Sequence, residues 1–186
     1  MRVIAGTARS LPLKTVSGND VRPTTDKTKE TLFNVLGFDV PECRFLDLYA
    51  GSGAVGIEAL SRGAHSCVFV EKSRAALKII DENLRFTRLS ERADVRAQDA
   101  GVFLAGCFSR KFDIIFMDPP FGKELEKGSI ELIAKNNILE DYGIMVVETL
   151  LNTDFYYLTD LGFEIFKVKN YKTHKHVFIR KMVKEQ

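Results

Sequence analysis

The chain has no tryptophan, three cysteines, three histidines and five prolines among its 186 residues. Cys43, Cys67 and Cys107 are widely separated and make no C-x-x-C pair, which argues against a disulfide framework or a zinc knuckle. Burial as small apolar side chains is the plainer expectation for them. His65, His174 and His176 show no metal-ligand spacing, although His174 and His176 are placed to share one face of a strand, and no metal is expected. No apolar run approaches the roughly 20 residues that cross a bilayer. The opening MRVIAGTARS also lacks the uninterrupted apolar segment of a signal peptide. The expectation is a cytoplasmic chain without membrane contact.

Charge of one sign is also scarce, since the net charge of +2 is too small to diagnose a polyanionic partner by itself. Its distribution says more. Lys167, Lys169, Lys172, Lys175, Arg180, Lys181 and Lys184 succeed one another with no acid among them, and the N-terminus adds Arg2, Arg9, Lys14 and Arg22. Brought to one face they would suit phosphates. The alternative is that the C-terminal lysines sit on edge strands and discourage sheet-to-sheet association.

What is present is ordinary for a globular protein: 45% hydrophobic and 28% charged residues, enough length for one sizeable core, and no internal repeat. From residue 44 onward short apolar runs alternate with helical segments. RFLDLY, SCVFVE, ADVRAQ, FDIIFM and GIMVVET read as strands. Between them SGAVGIEALSRG reads as a helix ending at Gly63, SRAALKIIDENLRF as a helix with Ala75, Ile79 and Leu84 among its apolar positions, and 100–108 and 124–137 as two more. This alternation predicts a parallel sheet covered on both faces. Residues 153–160 look helical, and FEIFKVKNYK and THKHVFIRK follow with no room for a crossover, so they must be antiparallel neighbours. Before residue 44 lies a smaller unit: MRVIAG as a strand, KTVSG leading a second strand or a turn through Gly18 and Asn19, and TDKTKETLFNVLGF as a helix capped by Thr25 or Asp26. The division expected is an N-terminal extension over 1–43 on a main α/β domain over 44–186. A monomer is the default expectation.

The first strand runs into DLYAGSGAVG, Asp47 to Gly56. Gly51 and Gly53 let backbone approach a ligand, and the following helix directs free N–H groups and a positive dipole end into the same space. Such a loop suits a dinucleotide, a phosphate or the methionyl carboxylate of S-adenosylmethionine, and glycine spacing alone does not choose. Glu71, closing the second strand, can accept from both ribose hydroxyls; Asp99, after the third, can address an adenine amino group; Asp47 closes the first strand near the ligand's amine. Tyr49, Ser52, Lys72 and Asp118 complete the candidate cofactor set. Although G-S-G-A-V-G fits the spaced-glycine fingerprint of nicotinamide enzymes, a dehydrogenase has no use for the motif that ends the fourth strand.

That motif is DPPF, Asp118 to Phe121. Two consecutive prolines remove two backbone donors and stop the strand. The Asp118 carboxylate can accept one hydrogen from an exocyclic amino group and the Pro119 carbonyl another, drawing an otherwise delocalised nitrogen toward tetrahedral geometry and stabilising charge that develops during methyl transfer. Phe121 offers a face on which an unstacked base can lie, and Pro120 beside it joins the candidate substrate-binding set. The alternative is a rigid loop with Phe121 in the core.

DPPF is a variant of the D/N-P-P-Y/F/W signature of methyltransferases acting on exocyclic amines. Nearly the whole chain resembles the bacterial RsmD family of small-subunit ribosomal RNA guanine-N2 methyltransferases, through RVIAGTAR (2–9), VRPTTDKTKETLFNVL (21–36), FLDLYAGSGAVGIEALSRGA (45–64), FVEK (69–72), FDIIFMDPPF (112–121) and YKTHKHVFIR (171–180). The resemblance implies a Rossmann-like, seven-stranded class I fold with S-adenosyl-L-methionine as cofactor. It further implies methylation of the N2 of guanine 966 of 16S ribosomal RNA, in an assembled or partly assembled small subunit. Arg9, Arg22, Thr24, Thr25 and Asp26 fall in the family's N-terminal motifs and would order the substrate side of the pocket. Three departures stand out: SLPLK keeps Lys14 but lacks a second arginine usual in relatives, YKTHKH lacks the glycine and acid common after the tyrosine, and Phe121 replaces the commoner tyrosine. The first two bear on RNA affinity and positioning more than on catalysis. Adenine-N6 methylation of RNA or DNA, or a noncatalytic assembly factor on the same fold, are the competing functions.

Overall fold

The computed structural model describes residues 1–16, 25–107 and 110–183. Helix α1 (Asp26–Leu36) is capped by Thr25, whose backbone is extended and whose hydroxyl accepts the Thr28 N–H at 3.2 Å. It buries Leu32, Phe33 and Leu36. The main unit follows as β1 (Arg44–Leu48), α2 (Ala54–Ser61), β2 (Ser66–Glu71), α3 (Arg74–Thr87), β3 (Ala93–Ala97), α4 (Ala100–Ala105), β4 (Phe112–Met117), α5 (Leu125–Lys135), β5 (Leu139–Leu150), β6 (Phe163–Asn170) and β7 (His174–Lys181). All the strands join one seven-stranded sheet in the order β3-β2-β1-β4-β5-β7-β6. The first five are mutually parallel, and β7 runs antiparallel between β5 and β6, as the missing crossover requires.

Period-two alternation divides the core into two layers. Phe45, Phe69, Phe116 and Phe178 face α1, α2 and α3, whereas Leu46, Val68, Ile115 and Met117 face α4 and α5. Strand order reverses between β1 and β4, and this reversal opens a crevice at their carboxyl ends. The chain therefore places the glycine loop after β1 and DPPF after β4 side by side.

Several boundaries differ from expectation. MRVIAG forms no strand beyond a single bridge between Arg2 and Pro12. Proline has no N–H with which to extend the ladder, and the N–H groups of Ile4 and Ala5 are taken instead by the Glu58 carboxylate at 2.8 and 3.0 Å. Gly6 then turns with φ +81° so close to α2 that a Cβ would lie 1.8 Å from the Ser61 carbonyl oxygen. Val3, Ala8 and Leu13 consequently join the same core layer as α1 and α2. Gly18 and Asn19 lie outside the described residues. Helix α2 stops at Ser61 rather than Gly63, and the segment expected to be helical over 153–160 is a 3₁₀ turn over Tyr156–Leu161. In α3 the buried apolar positions are Ala76, Ile80 and Leu84, while Ala75 is exposed. Strand β5 starts at Leu139 because a register shift lets Leu139 pair with Phe112 ahead of the main ladder.

The three cysteines are buried and unpaired. Strand β6 is a sheet edge and carries Lys167 and Lys169, the position at which lysine protects against edge pairing. Elsewhere the basic residues are largely matched: Arg2 with Asp26, Lys14 with Glu82, Arg180 with Glu164 and Lys181 with Asp141. No helix among the described residues is long and apolar enough to cross a membrane.

Candidate active site

A cavity of about 340 Å³ occupies the crevice and extends from the glycine loop to the ends of β4 and β5. That is within the size range of small-molecule sites. Among the sequence-predicted residues, Asp47, Tyr49, Gly51, Ser52, Glu71, Lys72, Asp99, Asp118, Pro119, Pro120, Phe121 and Thr25 all line it.

At the glycine-loop end the chain turns with φ +55° at Gly51 and +76° at Gly53, where a side chain would be strained. Gly53 points toward Phe69 and Ile80 rather than into the cavity, so its contribution is backbone shape. Gly56 serves packing: a Cβ there would sit 2.3 Å from the Phe69 ring, and its absence lets α2 lie close on β2. Asp47 is buried, and its carboxylate accepts the Gly56 N–H at 2.8 Å, tying β1 to the first turn of α2. Burial pushes its carboxyl up to about 8, and the charge of Glu71 adds to the rise.

Glu71 holds the loop directly. One carboxylate oxygen accepts from Gly51 N–H at 2.9 Å and the other from the N–H groups of Lys72 and Ser73, both at 2.8 Å. A carboxylate has about four acceptor positions, so capacity for a ligand hydroxyl remains. Asp99 caps α4 through Gly101 N–H at 2.9 Å and pairs with Lys72 Nζ at 3.2 Å. The Lys72 hydrogen bond holds its carboxyl below the usual range. Tyr49 has φ +66°, uncommon for a residue with a side chain, and shares a 2.9 Å hydrogen bond with the Ser129 hydroxyl.

At the opposite end Asp118 and the two prolines leave β4 over the same space. Phe121 is 40% exposed, so its ring is not a core side chain. Burial raises the Asp118 carboxyl well above the usual carboxylate range, with the charges of Glu148 and Asp47 adding. Thr25 and Thr28 bring the start of α1 to this wall. Asp26 instead accepts the Arg2 N–H at 3.2 Å, and Arg9 sits in an exposed turn; neither lines the cavity. Arg22 and Thr24 lie outside the described residues.

The family described as conserved hypothetical protein 95 matches this chain over residues 1–180. The chain belongs to this family, the RsmD family. It is 42% identical over 150 residues to the candidate rRNA methyltransferase YlbH of Bacillus subtilis, covering 80% of this chain and 82% of that protein. It is 38% identical over 149 residues to ribosomal RNA small subunit methyltransferase D of Escherichia coli, covering 80% and 74%. The solved structure of yhhF, a candidate methyltransferase of Escherichia coli, superposes with a TM-score of 0.85 at 30% identity, covering 99% of both chains. The seven-stranded, Rossmann-like methyltransferase fold expected from the family resemblance is the fold observed.

In this RsmD chain sequence reasoning missed Glu148, Thr28 and His174, which also line the cavity. Glu148 carried the same signal as Asp47, Glu71 and Asp118, a lone acid near the carboxyl end of an apolar strand. His174 and His176 flank Glu148, at 3.4 and 2.9 Å, and no group of three or more potential metal ligands is found among the described residues.

Proposed function

We propose that this RsmD chain uses S-adenosyl-L-methionine to methylate the exocyclic N2 of a guanine in 16S ribosomal RNA, guanine 966 in customary numbering, presented by an assembled or partly assembled small subunit. The observation that carries this reading is that DPPF opens into the same cavity as the glycine loop, Glu71 and Asp99. Those residues fit the cofactor: the first turn of α2 offers a positive pole for a carboxylate, Glu71 keeps spare acceptor capacity for ribose, and carboxyl groups crowded at Asp47 and Asp118 suit a cationic ligand. When bound, that cofactor supplies an electrophilic methyl group on a sulfonium.

The chain's own part is acceptance and orientation. Asp118 takes one hydrogen of the amino group and the Pro119 carbonyl the other, which aims the nitrogen lone pair at the methyl group. Phe121, exposed at the mouth, stacks on the flipped base. The N-terminal extension would supply the substrate side, and Met1, Thr15, Val16, Thr25 and Thr28 from it line the cavity. Arg9, in its exposed turn, would then act on RNA outside the pocket.

The deciding experiment is transfer of labelled methyl to small subunits lacking the modification, in parallel with protein-free rRNA and DNA, followed by nucleoside analysis. N2-methylguanosine recovered mainly from the subunit is the expected result. Label in N6-methyladenosine would overturn the substrate, and cofactor binding with no label would favour an assembly factor.

A further inference from the structure

The acceptor end of the cavity holds a second carboxylate. Met117 of β4 and Val147 of β5 are register partners, so Asp118 and Glu148 are the next residues along neighbouring parallel strands. Both line the cavity, and Glu148 is only 7% exposed. Because β5 lies beyond β4 from β1, β2 and β3, Glu148 is on the side away from the nucleotide end.

The side chain is held from β7. His176 is the register partner of Glu148, and its Nε2 lies 2.9 Å from one carboxylate oxygen. His174 Nε2 lies 3.4 Å from the other oxygen. A carboxylate only accepts, so Nε2 of His176 carries a proton, and in the neutral ring Nδ1 accepts from the Tyr171 hydroxyl at 3.1 Å. Burial and the charge of Glu148 push that hydroxyl up to about 12, so it remains a donor. Ring contacts fix the imidazoles: Tyr171 stacks on His174 with centroids 4.6 Å apart, and Phe116 meets His176 edge-on at 6.0 Å. The Tyr171 and His176 hydrogen bonds thus both run toward Glu148, whose side chain also lines the cavity.

Two neighbouring acceptors match guanine and mismatch adenine. Guanine presents the N1–H donor next to its 2-amino donor, whereas adenine presents a bare N1 lone pair next to its 6-amino group. A carboxylate facing that lone pair would be repelled. We propose that Glu148, oriented by His174 and His176, accepts the N1–H of the target guanine while Asp118 accepts from its amino group, which makes Glu148 the residue that selects guanine over adenine. This rests on the guanine-N2 reading above and adds to it the element that discriminates the base.

The test is single-turnover transfer, at saturating S-adenosylmethionine, to small subunits reconstituted with 16S RNA carrying either guanosine or 2-aminopurine riboside at the target. The analogue keeps the 2-amino group and lacks the N1 proton. Wild type should prefer guanosine by about 10- to 100-fold, the usual worth of one well-placed base contact. Glu148→Gln should react more slowly with guanosine and lose most of that preference, because the amide N–H can donate to a bare N1. Equal wild-type rates on the two substrates would overturn the proposal, as would an unchanged preference in Glu148→Gln. If Glu148→Gln does not fold, judged by its thermal midpoint, His176→Gln replaces it: a reduced preference supports the assignment and an unchanged one overturns it. Failure of the underlying reading looks different, since wild type would then methylate neither substrate or would label adenosine.

Discussion

Replacing Glu58 with alanine should cost this protein a large part of its stability. Glu58 is fully buried on α2 and collects four donors: the N–H groups of Ile4 and Ala5 at 2.8 and 3.0 Å, Arg62 Nε at 2.7 Å and Lys29 Nζ at 3.2 Å. Lys29 is itself fully buried, and its other partner is the Arg2 carbonyl at 2.7 Å. Burial holds the Lys29 ammonium below its ordinary value, opposed mainly by Glu58. Truncating Glu58 therefore strands a buried cation and two backbone donors, a change worth about 3–5 kcal/mol for a buried pair broken on one side. For a chain of this size that corresponds to a fall in thermal midpoint of about 6–20 °C. Lys29→Met should cost clearly less, because it removes the desolvated charge and leaves Glu58 with Arg62 and the two backbone donors. Urea unfolding of the two single variants and the double variant, followed by circular dichroism, measures both costs and their coupling. A Glu58→Ala cost below about 1 kcal/mol, or a Lys29→Met cost equal to it, would refute the view that this carboxylate holds the N-terminal segment against α2.

The remaining predictions concern the cavity. Asp118→Asn should lower single-turnover methyl transfer, measured at saturating cofactor, by about 10²–10³, the effect of losing one preorganised charge-stabilising group; a rate within threefold of wild type would remove Asp118 from the chemistry. Phe121→Ala should weaken transfer at subsaturating RNA by about 5- to 150-fold, as base stacking is worth roughly 1–3 kcal/mol, and an unaltered rate would exclude stacking. Asp47 has its folded carboxyl raised to about 8 against an ordinary value near 4, so the folded state binds more protons between those limits. Its contribution to stability is present below the ordinary value and is lost as pH rises to about 8; denaturation at pH 5, 7 and 9 should show this decline, and Asp47→Asn should flatten it. The same two crowded carboxyls predict proton release when the cationic cofactor binds, seen as a binding enthalpy that depends on the buffer's ionisation enthalpy.

Much of this fold is legible in the sequence. Continuous apolar strands separated by helical periods define a doubly covered parallel sheet, because each strand must bury both faces and each crossover must pass over one of them. The acids at strand ends, the glycine loop and DPPF were legible because their chemistry is local: an acid after an apolar run, a positive φ, two missing donors. Phe38, fully exposed at the end of α1, shows the limit of local reading, since its apolarity alone would place it inside.

Sequence by itself determined the alternation of elements, the antiparallel end and the DPPF stop after the fourth strand, all of which depend on spacings of a few residues. Tertiary structure alone decided which strands became neighbours, and therefore that Glu148 lies beside Asp118 and opposite His176. It also decided that Glu58 gathers the N-terminal backbone from residues more than fifty positions away in the chain. Those contacts arise from the reversal of strand order and from the demand of buried donors for acceptors, and neither leaves a periodic trace in the sequence.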